Sequence, residues 1–306
     1  MKQLDIIPIP GFSEPVACWS HLFAAAGFCV FLAFLLHKAW GNSLRLSALL
    51  IYGVCAIYLF SMSGVYHLLE PGGGPRSVLQ RLDHSGIWAM IAGTFTPIHI
   101  ILFRAWWRWG ALAFIWLVSI TGLTLEVVFF TDFPEWLSLL LYLALGWFGL
   151  ATFYRYIQDH EEKIARYLVF GGISYSLGGI FEFCRWPILI AGVIGPHEVF
   201  HFFVMGGAAF HGFFIFKIAA LGLKKNLTFA VKNRGEMGYY VVAQGEKIKF
   251  AAPNLQEAKL GISQRIRDIY CKIHLPKVVR LKHFQEEFID PQSGSAGSGE
   301  QFFNEN

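Results

Sequence analysis

The chain has 306 residues, of which 55% are hydrophobic and only 15% are charged, and its net charge is +4 at neutral pH. Soluble domains carry roughly 25% charged residues, so this composition favours an integral membrane protein. The small basic excess comes with no nucleic-acid-binding motif, which argues against nucleic acid as a partner. The five cysteines include no CxxC pair, which argues against a disulfide framework and a thiolate metal site.

Seven apolar segments are each about 20 residues long, which is enough for a helix to cross the hydrocarbon core of a membrane. Short loops containing glycine, proline or charged residues separate them. The segments predict seven transmembrane helices, at residues 18–38, 47–69, 83–103, 109–130, 135–155, 164–184 and 197–221. The apolar stretch 185–196 leaves six or eight helices as alternatives, because it could enter the membrane without crossing it.

The C-terminal part has the composition of a small soluble domain. Residues 239–243 and 247–251 alternate around Gly245, which predicts a short hairpin, and Asn254 with Glu257 is typical of a helix start. We therefore predict an all-α integral membrane protein, a seven-transmembrane helix bundle with a small C-terminal soluble β-β-α appendage. The predicted parts are an N-terminal arm, 1–17; the transmembrane domain, 18–223; the appendage, 224–290; and a disordered tail, 291–306.

Ionisable side chains inside membrane helices normally face a cavity, a partner or a metal ion. Because successive helices run in opposite directions, the ends of even-numbered helices lie level with the starts of odd-numbered ones. The polar residues gather at this one level, on the N-terminal side of the membrane: His21, Ser63, His67, Asp83, Glu126, Glu182, His197 and His201. This placement predicts a polar cavity open toward one side of the bilayer.

The spacing of two histidines predicts a metal site. His197 and His201 are four residues apart, so their imidazoles lie on one helical face and can chelate a single ion. His67 can add a third nitrogen, which gives the three-ligand arrangement of catalytic Zn²⁺. Ser63 lies one turn before His67, and Asp83 is the carboxylate that could deprotonate a water or orient an imidazole.

The alternative for each of these polar residues is a structural role. An HxxxH pair alone is a weak metal signal, and an unpaired imidazole in a membrane can instead bond a neighbouring helix. We expect interhelical hydrogen bonds for His99 and His211, which lie too far from the others to share an ion. Glu126 and Glu182 are expected to be partners of buried polar groups rather than catalysts.

The motifs together resemble those of the hemolysin III family, which belongs to the progestin and adipoQ receptor group with the adiponectin receptors. The matching stretches are Ser63-Gly-Val-Tyr-His67, Asp83-His-Ser-Gly-Ile-Trp, Ala92-Gly-Thr-Phe-Thr-Pro97 and Pro196-His-Glu-Val-Phe-His201. One departure concerns the family's N-terminal pattern E-x2-N-x3-H, which here runs from Glu14 to His21 with Ala17 in place of asparagine.

The resemblance implies zinc bound by His67, His197 and His201, with Asp83 holding the water and Ser63 beside it. It also implies a ceramidase-like hydrolase that cleaves amide bonds of membrane lipids such as ceramide. Two alternatives stay open: a seven-helix receptor or sensor in which zinc is structural, and a pore-forming hemolysin, which would need a polar path across the whole bilayer.

The orientation in the membrane follows from the basic residues. Most Lys and Arg of the short loops lie on the side opposite the polar cavity, among them Lys38, Arg104 and Arg155. The positive-inside rule therefore predicts a multi-pass protein of the cell inner or plasma membrane with its C-terminus in the cytoplasm. The adiponectin receptors have the opposite orientation, with the N-terminus inside.

Overall fold

The computed structural model of the protein describes residues 6–159, 162–220, 226–233, 238–243, 249–269, 278–282, 286–289 and 296–297. The chain divides into two compact units, Met1–Ala219 and Ala220–Asn306. The first unit is a helical bundle, and the second contains a sheet and a helix.

Within the described residues, seven helical spans are long and apolar enough to cross a membrane, so the predicted seven-helix fold class is confirmed. A π-helical turn, Trp106–Gly110, begins the fourth span, and Phe148 divides the fifth into two helices. Residues 185–195 form turns closed by a bridge between Ile190 and Ile194, so they add no span. The helices are α1 (Pro15–Lys38), α2 (Ser43–Leu68), α3 (Gly74–Leu102), α4 (Ala111–Val128), α5 (Glu135–Trp147), α6 (Gly149–Asp159), α7 (Glu162–Cys184) and α8 (Pro196–Ile218).

The start of α3 differs from the prediction and changes the position of Asp83. The glycines before Pro75 predict a loop that reaches Asp83, but α3 already begins at Gly74. Pro75 lies in the first turn, where its fixed φ suits a helix and its missing N–H costs nothing. Asp83 therefore lies about 13 Å along α3, at 1.5 Å per residue, rather than at its N-terminus.

Small residues allow α2 to pack closely between α1 and α3. A Cβ added at Gly64 would lie 2.7 Å from the side chain of Leu22 in α1. A Cβ added at Gly86 would lie 3.0 Å from Cα of Leu59. Close backbone approach of this kind stabilises helix pairs in membranes, where no hydrophobic driving force holds them together.

The N-terminal arm, residues 6–14, crosses the end of the bundle from which α1 starts. The backbone N–H of Ile7 donates to the carbonyl of Gly192 at 2.8 Å, in the loop before α8. The N–H of Glu14 donates to the carbonyl of His67 at 3.1 Å, at the end of α2. These bonds place Glu14 directly beside the last turn of α2.

The second unit confirms the predicted β-β-α appendage and extends it. Its described residues form a sheet in the order β3-β2-β1-β4-β5-β6, with β1 and β4 parallel and the other neighbours antiparallel. Its helix is α9 (Leu255–Ile269). The strands are β1 (Asn226–Asn233), β2 (Tyr239–Ala243), β3 (Lys249–Ala252), β4 (Val278–Lys282), β5 (Glu286–Ile289) and β6 (Ala296–Gly297).

The core of the second unit lies between α9 and the first three strands. Ile262 and Ile266 of α9 are fully buried with Phe229 and Val241 of the sheet. The predicted disordered tail, 291–306, lies outside the described residues except for β6, which pairs with β5.

Candidate metal centre

Three histidines from two distant helices meet near one end of the bundle. His67 lies in the last turn of α2, and His197 and His201 lie one turn apart at the start of α8. Nε2 of His197 is 3.0 Å from Nε2 of His67, and the ring centroids of His197 and His201 are 4.6 Å apart. One ring nitrogen of each histidine lies within 4.8 Å of those of the other two. The structure thus brings together all three residues that the sequence predicts as metal ligands.

Two carboxylates hold the rings of His67 and His197. Nδ1 of His67 donates a hydrogen bond to Oε2 of Glu14. Nδ1 of His197 lies 3.4 Å from Oε1 of Glu182, at the end of α7. A carboxylate at Nδ1 keeps the proton on that nitrogen, fixes the ring orientation and makes Nε2 a better metal ligand.

His201 is held by the backbone of α1. Its Nδ1 lies 3.2 Å from the carbonyl oxygen of Ala17 and 3.4 Å from Oγ of Ser20. Ala17 is the position at which this chain lacks the family's asparagine, yet its backbone carbonyl is the group that faces His201. Any residue type supplies that oxygen, so the departure leaves the contact intact.

The donor set fits a zinc ion. Zn²⁺ binds imidazole nitrogen at about 2.0–2.1 Å, so two nitrogens of a tetrahedral site are about 3.4 Å apart. The nitrogen separations here, from 3.0 Å to at most 4.8 Å, bracket this value, and small side-chain rotations would equalise them. With each Nδ1 facing an oxygen, Nε2 of each ring is the nitrogen left for the metal.

Glu14 connects the centre to a buried arginine. Its Oε1 accepts a hydrogen bond from Nη2 of Arg76 at 2.6 Å, and Arg76 also donates to the carbonyl of Leu69. Burial favours the neutral acid, but the hydrogen bonds and positive charges of His67 and Arg76 outweigh it and lower the pKa of Glu14 to about 2. The carboxylate is therefore ionised at neutral pH.

Asp83 and Ser63 lie on the wall of the same cavity as the three histidines. The antiparallel helices α2 and α3 touch at Leu59 and Gly86. The residue one turn after Leu59 in α2 therefore lies at a depth similar to that of the residue one turn before Gly86 in α3. Those residues are Ser63 on α2 and Asp83 on α3. Ser63 is buried, whereas Asp83 is partly exposed and makes no hydrogen bond with the described residues. Its carboxylate is therefore available to a water or a ligand.

A cavity of about 820 Å³ extends from the histidines into the bundle. Its far part reaches His211 and Thr152, and its middle is lined by apolar side chains such as Met90 and Ile98. Pockets for small molecules span about 300–1,000 Å³ and are mostly apolar with a few polar groups. The cavity has both the size and the lining of a ligand site.

His21 extends the cluster to a fourth imidazole. Its ring stacks on that of His201, with centroids 3.6 Å apart and planes inclined by 2°. It is 2% exposed, and neither of its nitrogens makes a hydrogen bond of normal geometry with the described residues. The sequence places His21 at the level of the site, but no spacing rule predicts this stacking.

The interhelical hydrogen bonds expected for His99 and His211 are present, and Glu126 and Glu182 have polar partners as expected. Nε2 of His99 lies 3.1 Å from Oγ1 of Thr152, and Nε2 of His211 donates to the carbonyl of Leu168 at 3.0 Å. Glu126 accepts hydrogen bonds from buried donors of α3 and α5. Glu182 likewise pairs with Arg185, but it also faces the candidate ligand His197, which links it to the metal centre.

The comparison with protein families decides the family of the chain. The model of the family described as haemolysin-III related matches residues 12–212. The chain belongs to this haemolysin-III related family. The matched range includes the three histidines, Asp83 and Ser63, and the grouping with the adiponectin receptors is consistent with it.

Two members of the haemolysin-III related family illustrate the similarity. The chain is 32% identical over 172 residues to Hemolysin-3 of Bacillus cereus, which covers 55% of this chain and 74% of that protein. It is 27% identical over 170 residues to a Hemolysin-3 homolog of Bacillus subtilis (strain 168), which covers 56% and 76%.

Proposed function

We propose that this haemolysin-III related protein is a zinc-dependent hydrolase of an amide bond in a membrane lipid such as ceramide. The observation that carries the proposal is the convergence of His67, His197 and His201 on the wall of a large cavity inside the membrane domain. Three protein nitrogens leave a fourth tetrahedral position open, as in catalytic zinc sites, whereas structural sites are closed by four protein ligands.

The shape of the cavity supports a lipid as the substrate. His197 and His211 both line it, and they are fourteen residues apart on α8, which corresponds to about 21 Å. One leaflet of a bilayer with a hydrocarbon core of about 30 Å is about 15 Å thick, so the cavity can take a long acyl chain. The polar end at the histidines would then hold the head of the lipid.

The protein groups divide the chemical work. Zinc, when bound, would polarise the scissile carbonyl and make water a stronger acid. Glu14 and Glu182 hold two of the imidazoles in place through Nδ1. Asp83 accepts a proton from the attacking water, and Ser63 donates a hydrogen bond to the oxygen on which negative charge develops.

Lipid turnover with metal content as a second readout tests the proposal. Purified protein loaded with zinc should release fatty acid from ceramide. Asp83→Asn should lower kcat by about 10²–10⁴-fold, the usual contribution of a general base, while zinc per chain stays unchanged. Full turnover by Asp83→Asn would show that Asp83 is not the base, and failure of the wild type to cleave any lipid amide would overturn the hydrolase.

The second candidate is a receptor or sensor in which zinc is structural. The ligands come from α2 and α8, and the N-terminal arm reaches them through Glu14, so a metal ion would tie three parts of the chain together. In that case the wild-type protein would cleave no lipid, and His67→Ala would lower its melting temperature.

A pore receives less support. The name of the relatives refers to hemolysis, but the ionisable groups of this cavity gather at one end. The histidines nearer the other side, His99 and His211, are engaged by Thr152 and the carbonyl of Leu168. Ion flux through liposomes that is lost on substitution of His99 and His211 would favour the pore.

A further inference from the structure

A second polar cluster lines the cavity beside Asp83 and has no part in the metal centre. Its centre is the carboxylate of Glu126 in α4, which is 2% exposed. A buried carboxylate in a membrane helix is costly unless it is hydrogen-bonded. Four donors from two other helices surround it: His84 and Trp88 of α3, and Ser138 and Tyr142 of α5.

The bonding capacity of the Glu126 carboxylate is filled. Oε1 faces Nδ1 of His84 and the hydroxyl of Ser138, both at 3.1 Å. Oε2 accepts from Nε1 of Trp88 at 2.7 Å and from the hydroxyl of Tyr142 at 2.5 Å. An ionised carboxylate has about four acceptor positions and no proton to donate.

This arrangement fixes the tautomer of His84. Because the carboxylate can only accept, Nδ1 of His84 must carry the proton and donate it to Glu126. Nε2 is then the nitrogen that can take up or release a second proton, and none of the described residues bonds to it. A histidine held by a buried carboxylate in this way has the arrangement found in many general acid–base catalysts.

His84 presents an imidazole of the cluster to the cavity. Its side chain is 40% exposed, compared with 3% for that of Glu126, and it lines the cavity next to Asp83. Trp88, by contrast, is 1% exposed and lies outside the cavity lining. Ser138 and Tyr142 also line the cavity, and His84 is the one imidazole among these donors, which is the side chain suited to proton transfer near neutral pH.

We propose that His84, held by Glu126, is the general acid that protonates the leaving nitrogen of the lipid amide. This inference rests on the proposed amide hydrolysis. It divides the proton transfers between two adjacent residues of α3: Asp83 serves the attacking water and His84 serves the leaving group. Glu126 is a positioning residue, because it acts through His84.

The proton transfers balance over one turnover. As the water oxygen bonds to the acyl carbon, one water proton passes to the carboxylate of Asp83. As the C–N bond breaks, its electron pair stays on nitrogen, and nitrogen takes the Nε2 proton of the His84 imidazolium. The proton on Asp83 then returns to Nε2 of His84, directly or through water. Water and amide have become carboxylic acid and amine.

The test compares two substrates with the same acyl chain in zinc-loaded protein. One is an N-alkyl amide, whose leaving nitrogen must be protonated, and the other is a nitrophenyl ester, whose leaving group departs as an anion. The variant is His84→Asn, because the Asn amide lies where Nδ1 was and can still donate to Glu126. The matched control is Trp88→Phe, which removes another donor to the same carboxylate.

The expected result is selective. His84→Asn should lower kcat/KM for the amide by about 10²–10⁴-fold and for the ester by less than about threefold, at unchanged zinc content. Trp88→Phe should change both substrates by the same factor. If His84→Asn does not fold, His84→Gln, which cannot relay a proton either, should give the same selectivity.

Three other results would overturn the inference, and they distinguish it from the proposed function. If the His84 variants lose kcat/KM equally for the amide and the ester, or cleave the amide at the wild-type rate, His84 is not the acid, and the proposed hydrolase activity is unaffected. A wild-type protein that cleaves neither substrate would overturn the proposed function and this inference with it.

Discussion

The carboxylate of Glu14 accepts a hydrogen bond from Nδ1 of His67, 53 residues further along the chain. Glu14 precedes the first membrane helix, whereas His67 lies in the last turn of the second. The N-terminal arm therefore supplies a group that orients a candidate metal ligand. Arg76 binds the other oxygen of the same carboxylate at 2.6 Å, which holds Glu14 in place.

Replacing Glu14 should weaken zinc binding. Its pKa of about 2 keeps the carboxylate ionised at neutral pH, so Glu14→Ala removes a charged acceptor from Nδ1 of His67. Loss of such a partner costs about 10–100-fold in metal affinity, which competition with a chelator would measure. The matched control is Glu70→Ala at an exposed position three residues after His67. Equal affinity of the two variants would contradict the orienting role.

The three histidines should account for the bound metal. Elemental analysis of the purified protein should give about one zinc per chain, and His67→Ala should abolish it because two remaining imidazoles bind zinc weakly. His211→Ala serves as the control, because His211 lines the cavity but bonds the carbonyl of Leu168 instead. If His67→Ala retains zinc, His67 is not a ligand and α2 contributes none of the three imidazoles.

Arg45 should stabilise the end of α8. It is 1% exposed, and its Nη1 donates to the carbonyl of Ala219 at 3.1 Å, just beyond the last turn of α8. Arg45→Met keeps much of the volume but leaves that carbonyl without its charged donor, at a cost of about 1.5–3 kcal/mol. Thermal unfolding in detergent should show a lower midpoint for Arg45→Met than for the wild type. The midpoint of Lys163→Met, a change at an exposed position, should not change.

The orientation of the protein can be tested with fusions after Asn306. The distribution of basic residues predicts a cytoplasmic C-terminus. A fluorescent protein fused there should fold and fluoresce, and an alkaline phosphatase fused there should stay inactive, because the latter needs an oxidising compartment for its disulfides. Active phosphatase would place the C-terminal unit on the other side, as in the adiponectin receptors.

The candidate metal ligands could be predicted because they obey simple geometry. A spacing of four residues puts His197 and His201 on one face of a helix, and the alternating direction of the spans puts His67 level with them. The strand β1 could also be predicted from the sequence, because the large apolar residues Leu227, Phe229 and Val231 occupy every second position, as is typical of a strand.

The partners of the ligands could not be predicted from spacing. Glu14 reaches His67 only because Ile7 and Glu14 bond to Gly192 and His67 through their backbones, and such contacts leave no periodic pattern. Glu182 reaches His197 because α7 ends beside the start of α8. The prediction that Asp83 begins its helix is wrong. The glycine run before Pro75 is typical of a loop, yet α3 already begins at Gly74.

The position of Glu14 has a practical consequence for purification. Residues 6–14, which carry this carboxylate to His67, lie against the loop before α8 through the N–H of Ile7. A fusion or deletion that displaces this arm would take Glu14 away from His67, and it is expected to lower the affinity of the candidate site for zinc. Tags for metal analysis therefore belong at the carboxyl terminus, and metal-chelating resins should be avoided.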